Sequence, residues 1–124
     1  MSKSIRRKSY KRGVWAERFA AFYLMLKGYK ILEMRYKTPI GEIDIIAKKK
    51  NQIVITEVKA RAALTDALEA VGARSQRRIE NATRHFLAMN PQYVRFDVCF
   101  DVIALQFRFP FLLRHLDNAW QARS

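Results

Sequence analysis

The sequence predicts an α/β fold: a mixed central β-sheet flanked by helices, in the order α-β-β-β-α-α-β. Three stretches carry the prediction. Residues 14–27 form a segment apolar almost all round, as a buried helix would be. Residues 41–61 hold two β-branched runs, IDIIA and IVIT, split by the polar KKKNQ, which is the pattern of a hairpin. Residues 75–89 repeat apolar side chains at helical spacing, and a long strand-like stretch follows Asn90-Pro91. Three consecutive strands, then helix, then strand, give a mixed sheet with helices packed on it.

The first element is preceded by a basic block. Residues 1–12 carry Lys3, Arg6, Arg7, Lys8, Lys11 and Arg12, with no acid before Glu17. Such a run reads as a disordered tail, or as an electrostatic anchor for phosphates. Residues 13–124 are then one domain with a C-terminal aromatic extension, since 124 residues suffice for one core and not two. In the helix from Val14, Glu17 sits in the first turn, where the macrodipole favours a carboxylate, and Gly28 supplies the C′ residue. Tyr29–Tyr36 is the first strand, and Thr38-Pro39-Ile40-Gly41 the turn into the hairpin.

In the hairpin, a turn centred on Lys50 and Asn51 makes cross-strand partners sum to 101. Ile46 then faces Ile55, Asp44 faces Glu57 and Glu42 faces Lys59, all on one face. Two carboxylates placed opposite each other repel and call for a positive charge. Lys59 is one candidate and a divalent cation with oxygen ligands is the other. The competing reading is a surface hairpin laced by ion pairs. Ile53 and Ile55 share a face with Glu57 and Lys59, so these charges fall at the edge of a core, where a cleft forms.

Beyond Arg61, Thr65 or Asp66 is expected to cap a short helix through Val71, with Glu69 completing the cap. Ser75 is expected to cap the next, to Met89. Its stripe Gln76, Ile79, Thr83, Phe86 should face the sheet. Arg74, Arg77, Asn81 and Arg84 should face outward, available to phosphates along with Arg61 and Arg78. Gln76 is polar at the start of the inward stripe and so points toward a site, or simply serves the helix start. Residues 93–106 read as one long strand or two short ones. Asp97 and Asp101 form a second carboxylate pair there, with surroundings that suggest a structural role. Phe107–Trp120 reads as packing over the sheet, with LLRHLDNAW as a last helix, or as a homodimer surface. His85 and His115 stand alone.

The segments GEIDIIA and ITEVKAR, in this order and after AERFAAFYLMLKGYKIL, resemble the PD-(D/E)XK nuclease superfamily. More closely the chain is similar to the YraN family of small bacterial proteins, themselves related in fold to Holliday-junction resolvases. The resemblance spans about Gly13 to Trp120, and RFDV and DNAW also fit the family pattern. Ile43, where the superfamily name has Pro, is the departure. The resemblance implies a PD-(D/E)XK restriction-endonuclease-like core and an endonuclease chemistry of in-line phosphodiester hydrolysis. Asp44 and Glu57 would hold Mg²⁺ or Mn²⁺, the Val58 carbonyl being a further ligand and Glu17 the acid from the first helix. Lys59 would orient water or stabilise charge, Gln76 would position the phosphate, and Glu42 would support the lysine or a second ion. It also implies a role in DNA repair or recombination. The alternative is a non-catalytic nucleic-acid-binding module or scaffold, since fold does not establish activity.

Composition agrees with a nucleic-acid partner. The net charge of +13 favours polyanions, DNA, RNA or an anionic membrane, without choosing among them. No apolar run approaches the ~18 residues of a membrane span, so no membrane partner is expected. Glu17 and Arg18 adjoin FAAFYLML and no small-residue cleavage site follows, so this segment reads as a core helix and not a signal. The one cysteine, Cys99, reads as an inert thiol suited to the cytoplasm.

Overall fold

A computed structural model of the chain describes residues 3–122, with side-chain surroundings from Gly13 onward. Five strands form one sheet in sequence order: β1 (Lys30–Thr38), β2 (Gly41–Lys49), β3 (Gln52–Arg61), β4 (Asp97–Gln106) and β5 (Leu112–Trp120). The first three are an antiparallel meander. β4 lies parallel to β3 after a crossover through α2 (Leu64–Leu68) and α3 (Ala73–Met89), and β5 returns antiparallel. The expected α-β-β-β-α-α-β order is present, and the mixed sheet with flanking helices is consistent with a nuclease-like core.

Alternation sorts the sheet's apolar residues to two helices. Helix α1 (Lys3–Leu26) covers one face through Ala16, Ala20 and Leu24, against Ile45, Ala47, Val54, Ile103 and Leu105. Helix α3 covers the other through Ile79, Ala82 and Phe86, against Ile46, Ile53, Ile55 and Phe100. With both faces buried, β3 reads as a continuous apolar run and not as an alternation. Each fully buried Ile contributes roughly 1.5–3 kcal/mol relative to exposure.

The hairpin register is the one the spacing predicts. Ile46 pairs with Ile55, Ala47 with Val54 and Lys49 with Gln52. Lys50, not Asn51, takes the positive φ of the turn, at 56°. Gly28, at φ 92°, follows the end of α1 as expected. The β1–β2 turn is closed by Thr38, whose hydroxyl accepts from Ile40 N–H and donates to the Gly41 carbonyl.

Several boundaries differ from the sequence reading. α1 begins at Lys3, so helix runs through the segment read as a basic tail. Lys and Arg are good helix formers, and no proline interrupts them. The basic side chains of residues 3–12, and their role as an anchor, lie outside the described residues. α2 starts after Ala63, and α3 after Gly72, neither with a side-chain cap, so Thr65, Asp66 and Ser75 lie inside their helices. The expected last helix is a strand, β5. Its Leu113 and His115 turn inward while Leu112 and Arg114 stay exposed, and β4 offers it an open edge. No helix of the described residues is long and apolar enough to cross a membrane.

Candidate active site

The hairpin opens where its charges begin. The β2–β3 ladder ends at Ile45–Thr56, so neither Asp44 with Glu57 nor Glu42 with Lys59 is a paired rung. In place of the next rung, Asp44 Oδ2 accepts a hydrogen bond from Val58 N–H at 2.8 Å. A side chain has taken the backbone partner's position, and β3 continues to Arg61 paired only with β4. The splay between the two strands is the cleft.

Three carboxylates converge there from three elements. The Asp44 carboxylate lies close enough to both Glu17 and Glu57 to raise their proton affinity. Together they line a cavity of about 430 Å³ with Gly13, Ala16, Lys59, Arg61 and Phe107. A smaller cleft of about 220 Å³, toward α3, shares Asp44, Glu57 and Lys59 and adds Glu42, Ser75 and Arg78. Burial and the neighbouring Asp44 charge push the Glu57 carboxyl up to about 9, against the opposing pull of Lys59. Glu17 is raised to about 7, again mainly by burial and then by Asp44, with Arg35 pulling it down. Burial first, and then the closeness of the Asp44 carboxylate, make both acids hold their protons more tightly than they would in water. The donor set is carboxylate oxygen, which suits a hard divalent cation such as Mg²⁺ or Mn²⁺.

Two cations pair with the carboxylates of the site. Lys59 Nζ lies 3.9 Å from Glu57 Oε1 and borders both clefts, the positive charge expected beside the carboxylate pair, and Glu42 lines the smaller cleft with it. Arg35 Nε lies 3.1 Å from Glu17 Oε2. Sequence reasoning missed Arg35 because it depends on an irregular strand. β1 carries a bulge between Ile31 and Glu33, and Arg35 itself sits at φ 54°. An Arg in that region of backbone space costs roughly 1–3 kcal/mol and is held only where its surroundings fix it.

The helix α3 residues divide differently from expectation. Ile79, Thr83 and Phe86 are buried as predicted, and Arg74, Arg77 and Arg84 are exposed, with Arg84 donating to Asn81 Oδ1 at 2.7 Å. Gln76 borders neither cleft; Ser75 and Arg78 do. The reason is a close approach of backbones. A Cβ on Gly41 would collide with the Arg78 carbonyl, so the start of β2 and the first turns of α3 are in contact and present Arg78 to Asp44 and Glu42. Arg61 borders the larger cavity.

The second carboxylate pair is separated. Asp97 is exposed, whereas Asp101 is 2 % exposed, accepting from Asn118 N–H at 2.9 Å and bonded to His115 Nε2 at 2.8 Å. Asp101 thereby fills the irregularity in the β4–β5 ladder between Phe100 and Val102. His115 does not stand alone, and nor does His85, whose Nδ1 bonds the Tyr36 hydroxyl at 2.9 Å. Ligand-type atoms of Asp101, His115 and Asp117 lie within 4.8 Å of one another, which makes this group the geometric competitor of the hairpin site. Both Asp101 oxygens are already engaged in holding β5, so its evident role is structural. Cys99 beside it has its thiol pushed up to about 12 by burial and by Asp101, which disfavours the reactive thiolate.

A five-stranded mixed sheet between two helices, with an Asp inserted between splayed strands and a Glu-x-Lys on the next strand, defines a nuclease-like α/β protein in fold. The profile of "Uncharacterised protein family UPF0102" matches residues 16–105, and the chain belongs to that family. It is 44 % identical over 119 residues to a UPF0102 protein of Chelativorans sp. (strain BNC1), covering 95 % of this chain and 94 % of the relative. A UPF0102 protein of Bradyrhizobium diazoefficiens is 46 % identical over 92 % of this chain and 84 % of its own length. One of Agrobacterium fabrum is 51 % identical over 81 % and 82 %.

Proposed function

We propose that this protein is a divalent-metal-dependent phosphodiesterase of the endonuclease type, acting on DNA. The observation that carries the reading is the convergence of Glu17, Asp44 and Glu57, two of them with raised proton affinity, beside Lys59 in a strongly basic chain. Asp44 and Glu57 would hold Mg²⁺ or Mn²⁺, with the Val58 carbonyl and Glu17 completing the set. Such an ion supplies Lewis-acid polarisation of a phosphate oxygen and lowers the pKa of a bound water.

The chain's own residues do the rest. Val58 N–H fixes the Asp44 carboxylate, so its position does not depend on a flexible rotamer. Glu57 and Glu17 would have to release protons to hold a cation, which would tie occupancy to pH. Lys59, between the two clefts, orients water or meets charge developing on the phosphate. Arg78 and Arg61, on opposite cavities, bind the flanking phosphates, while Arg74, Arg77 and Arg84 extend the basic surface along α3. Arg35 favours a second reading, a nucleic-acid-binding module without catalysis, because a fixed guanidinium already meets Glu17.

Labelled duplex, single-stranded, flap and four-way-junction DNA incubated with Mn²⁺ separates the two. Cleavage by the native protein that chelator abolishes and Glu57→Gln lacks is the expected result. Equal, metal-independent binding by both proteins with no cleavage of any substrate supports the binding module.

A further inference from the structure

Beside the carboxylate cavity the protein displays aromatic rings that its own core does not use. The loop of residues 107–111 joins β4 to β5. Phe107, at its start, lines the cavity with Lys59 and Arg61. Phe111, at its end, packs edge-on against Phe19 and Trp15 of α1, with ring centres 5.0 and 5.8 Å apart. Trp15 immediately precedes Ala16 and Glu17, which form the cavity's other wall. Both ends of the loop are therefore tied to the rim of the cavity, and Phe109 lies between them, 94 % exposed.

That exposure is not the result of a slack loop. Gln106 Nε2 donates to the Pro110 carbonyl at 2.9 Å and to the Arg108 carbonyl at 3.4 Å, and its Oε1 accepts from Leu64 N–H. Phe107 N–H donates to the Arg61 carbonyl at 3.0 Å. A glutamine anchored to the α2 start holds both sides of Phe109, so the ring is presented by a braced loop. Trp15 and Phe111 are also substantially exposed, which widens the patch.

We infer that Phe109, in the loop that ends at Phe111, is a stacking platform for unpaired bases, so that the substrate has single-stranded character next to the phosphate at the carboxylates. The inference rests on the nuclease-type reading of that cavity. Phe109 is two positions along the chain from Phe107, a reach of at most about 7 Å, comparable to one or two stacked-base spacings of ~3.4 Å along a strand. An aromatic face takes any base, but only one already out of a duplex stack. The adjacent cations, Lys59 and Arg61, suit a polyanion, and they and the net charge of +13 disfavour a second copy of this chain as the occupant.

The test is fluorescence anisotropy of the full chain with a labelled single strand and the same strand annealed to its complement, in chelator to prevent cleavage. Phe109→Ala should weaken single-strand binding about 10- to 100-fold, the range of one base stack, and leave duplex binding unchanged. Phe109→Trp should restore the affinity, and the added indole fluorescence should be quenched by the single strand and not by the duplex. A thermal melt equal to the native protein's confirms that Phe109→Ala folds. Unchanged single-strand affinity in Phe109→Ala overturns the inference while leaving the cavity's function standing. So does a native dimer that Phe109→Ala converts to monomer in light scattering, which would assign the patch to a second copy. Failure of the native protein to bind either strand overturns the underlying reading as well.

Discussion

Replacing Glu57 by Gln should make the metal-free protein more stable at neutral pH. Burial and Asp44 raise the Glu57 carboxyl from 4.5 to about 9. The folded protein thus holds this proton more tightly than the unfolded chain does. Stability from this group is complete below the unfolded value of 4.5, falls as pH climbs and levels off above about 9. At a pH of about 7.5, some three units of that window have been crossed, a ceiling of ~4 kcal/mol at ~1.4 kcal/mol per unit. Relaxation of Lys59 and the cavity lowers this to about 2–4 kcal/mol. Glutamine keeps the shape of the protonated acid and carries no such dependence. For a domain of this length each kcal/mol moves the melting temperature by about 4 °C, so Glu57→Gln should melt about 8–15 °C higher near pH 7.5. The gap should close near pH 4.5, and saturating Mn²⁺ should narrow it by stabilising only the native protein. Scanning calorimetry at both pH values, with and without metal, reads all three. A Gln variant that melts lower at pH 7.5, or a gap of equal size at both pH values, refutes the raised proton affinity of this carboxyl.

Other consequences follow from the same geometry. Because Glu17 and Glu57 must lose protons for a cation to enter, apparent Mn²⁺ affinity should rise with pH between about 6.5 and 8.5, up to about tenfold per unit where a full proton is displaced. Calorimetric titration in buffers of different ionisation enthalpy will show whether protons are released. Gly41→Ala drives a methyl into the Arg78 carbonyl and should cost about 2–4 kcal/mol in urea unfolding while separating α3 from the cleft. Asp101→Ala removes the acceptor of His115 and of the Asn118 amide and should cost about 3–5 kcal/mol, whereas Asp97→Ala should fall within about 0.5 kcal/mol of the native protein. Arg77→Ala should weaken binding to all DNA sequences alike and reduce the slope of affinity against salt by about 1.

The sequence made the hairpin's register legible because turn length and side-chain alternation determine it together: partners sum to 101 as far as the ladder runs. Where the ladder stops was not legible, since that depends on the Asp44 carboxylate reaching Val58 N–H in place of a backbone group. Arg35 was hidden for a related reason, its approach to Glu17 coming with a bulged strand and a positive φ that no periodicity announces. On α3, the buried stripe was read correctly, but Gly41 alone marked the close approach that brings Arg78, and not Gln76, to the cleft. LLRHLDNAW has apolar residues at spacings that suit either a helix or a strand. The open edge of β4, and a buried Asp101 awaiting partners, decided for the strand.

A divalent cation held in the splayed hairpin would be directly visible in a crystal. Anomalous diffraction from crystals soaked in Mn²⁺ tests that placement most directly. A peak is expected between Asp44 and Glu57, within coordination distance of the Val58 carbonyl and lost in Glu57→Gln crystals. A peak at Asp101, His115 and Asp117 instead, or no peak in the hairpin cleft at saturating Mn²⁺, would contradict it.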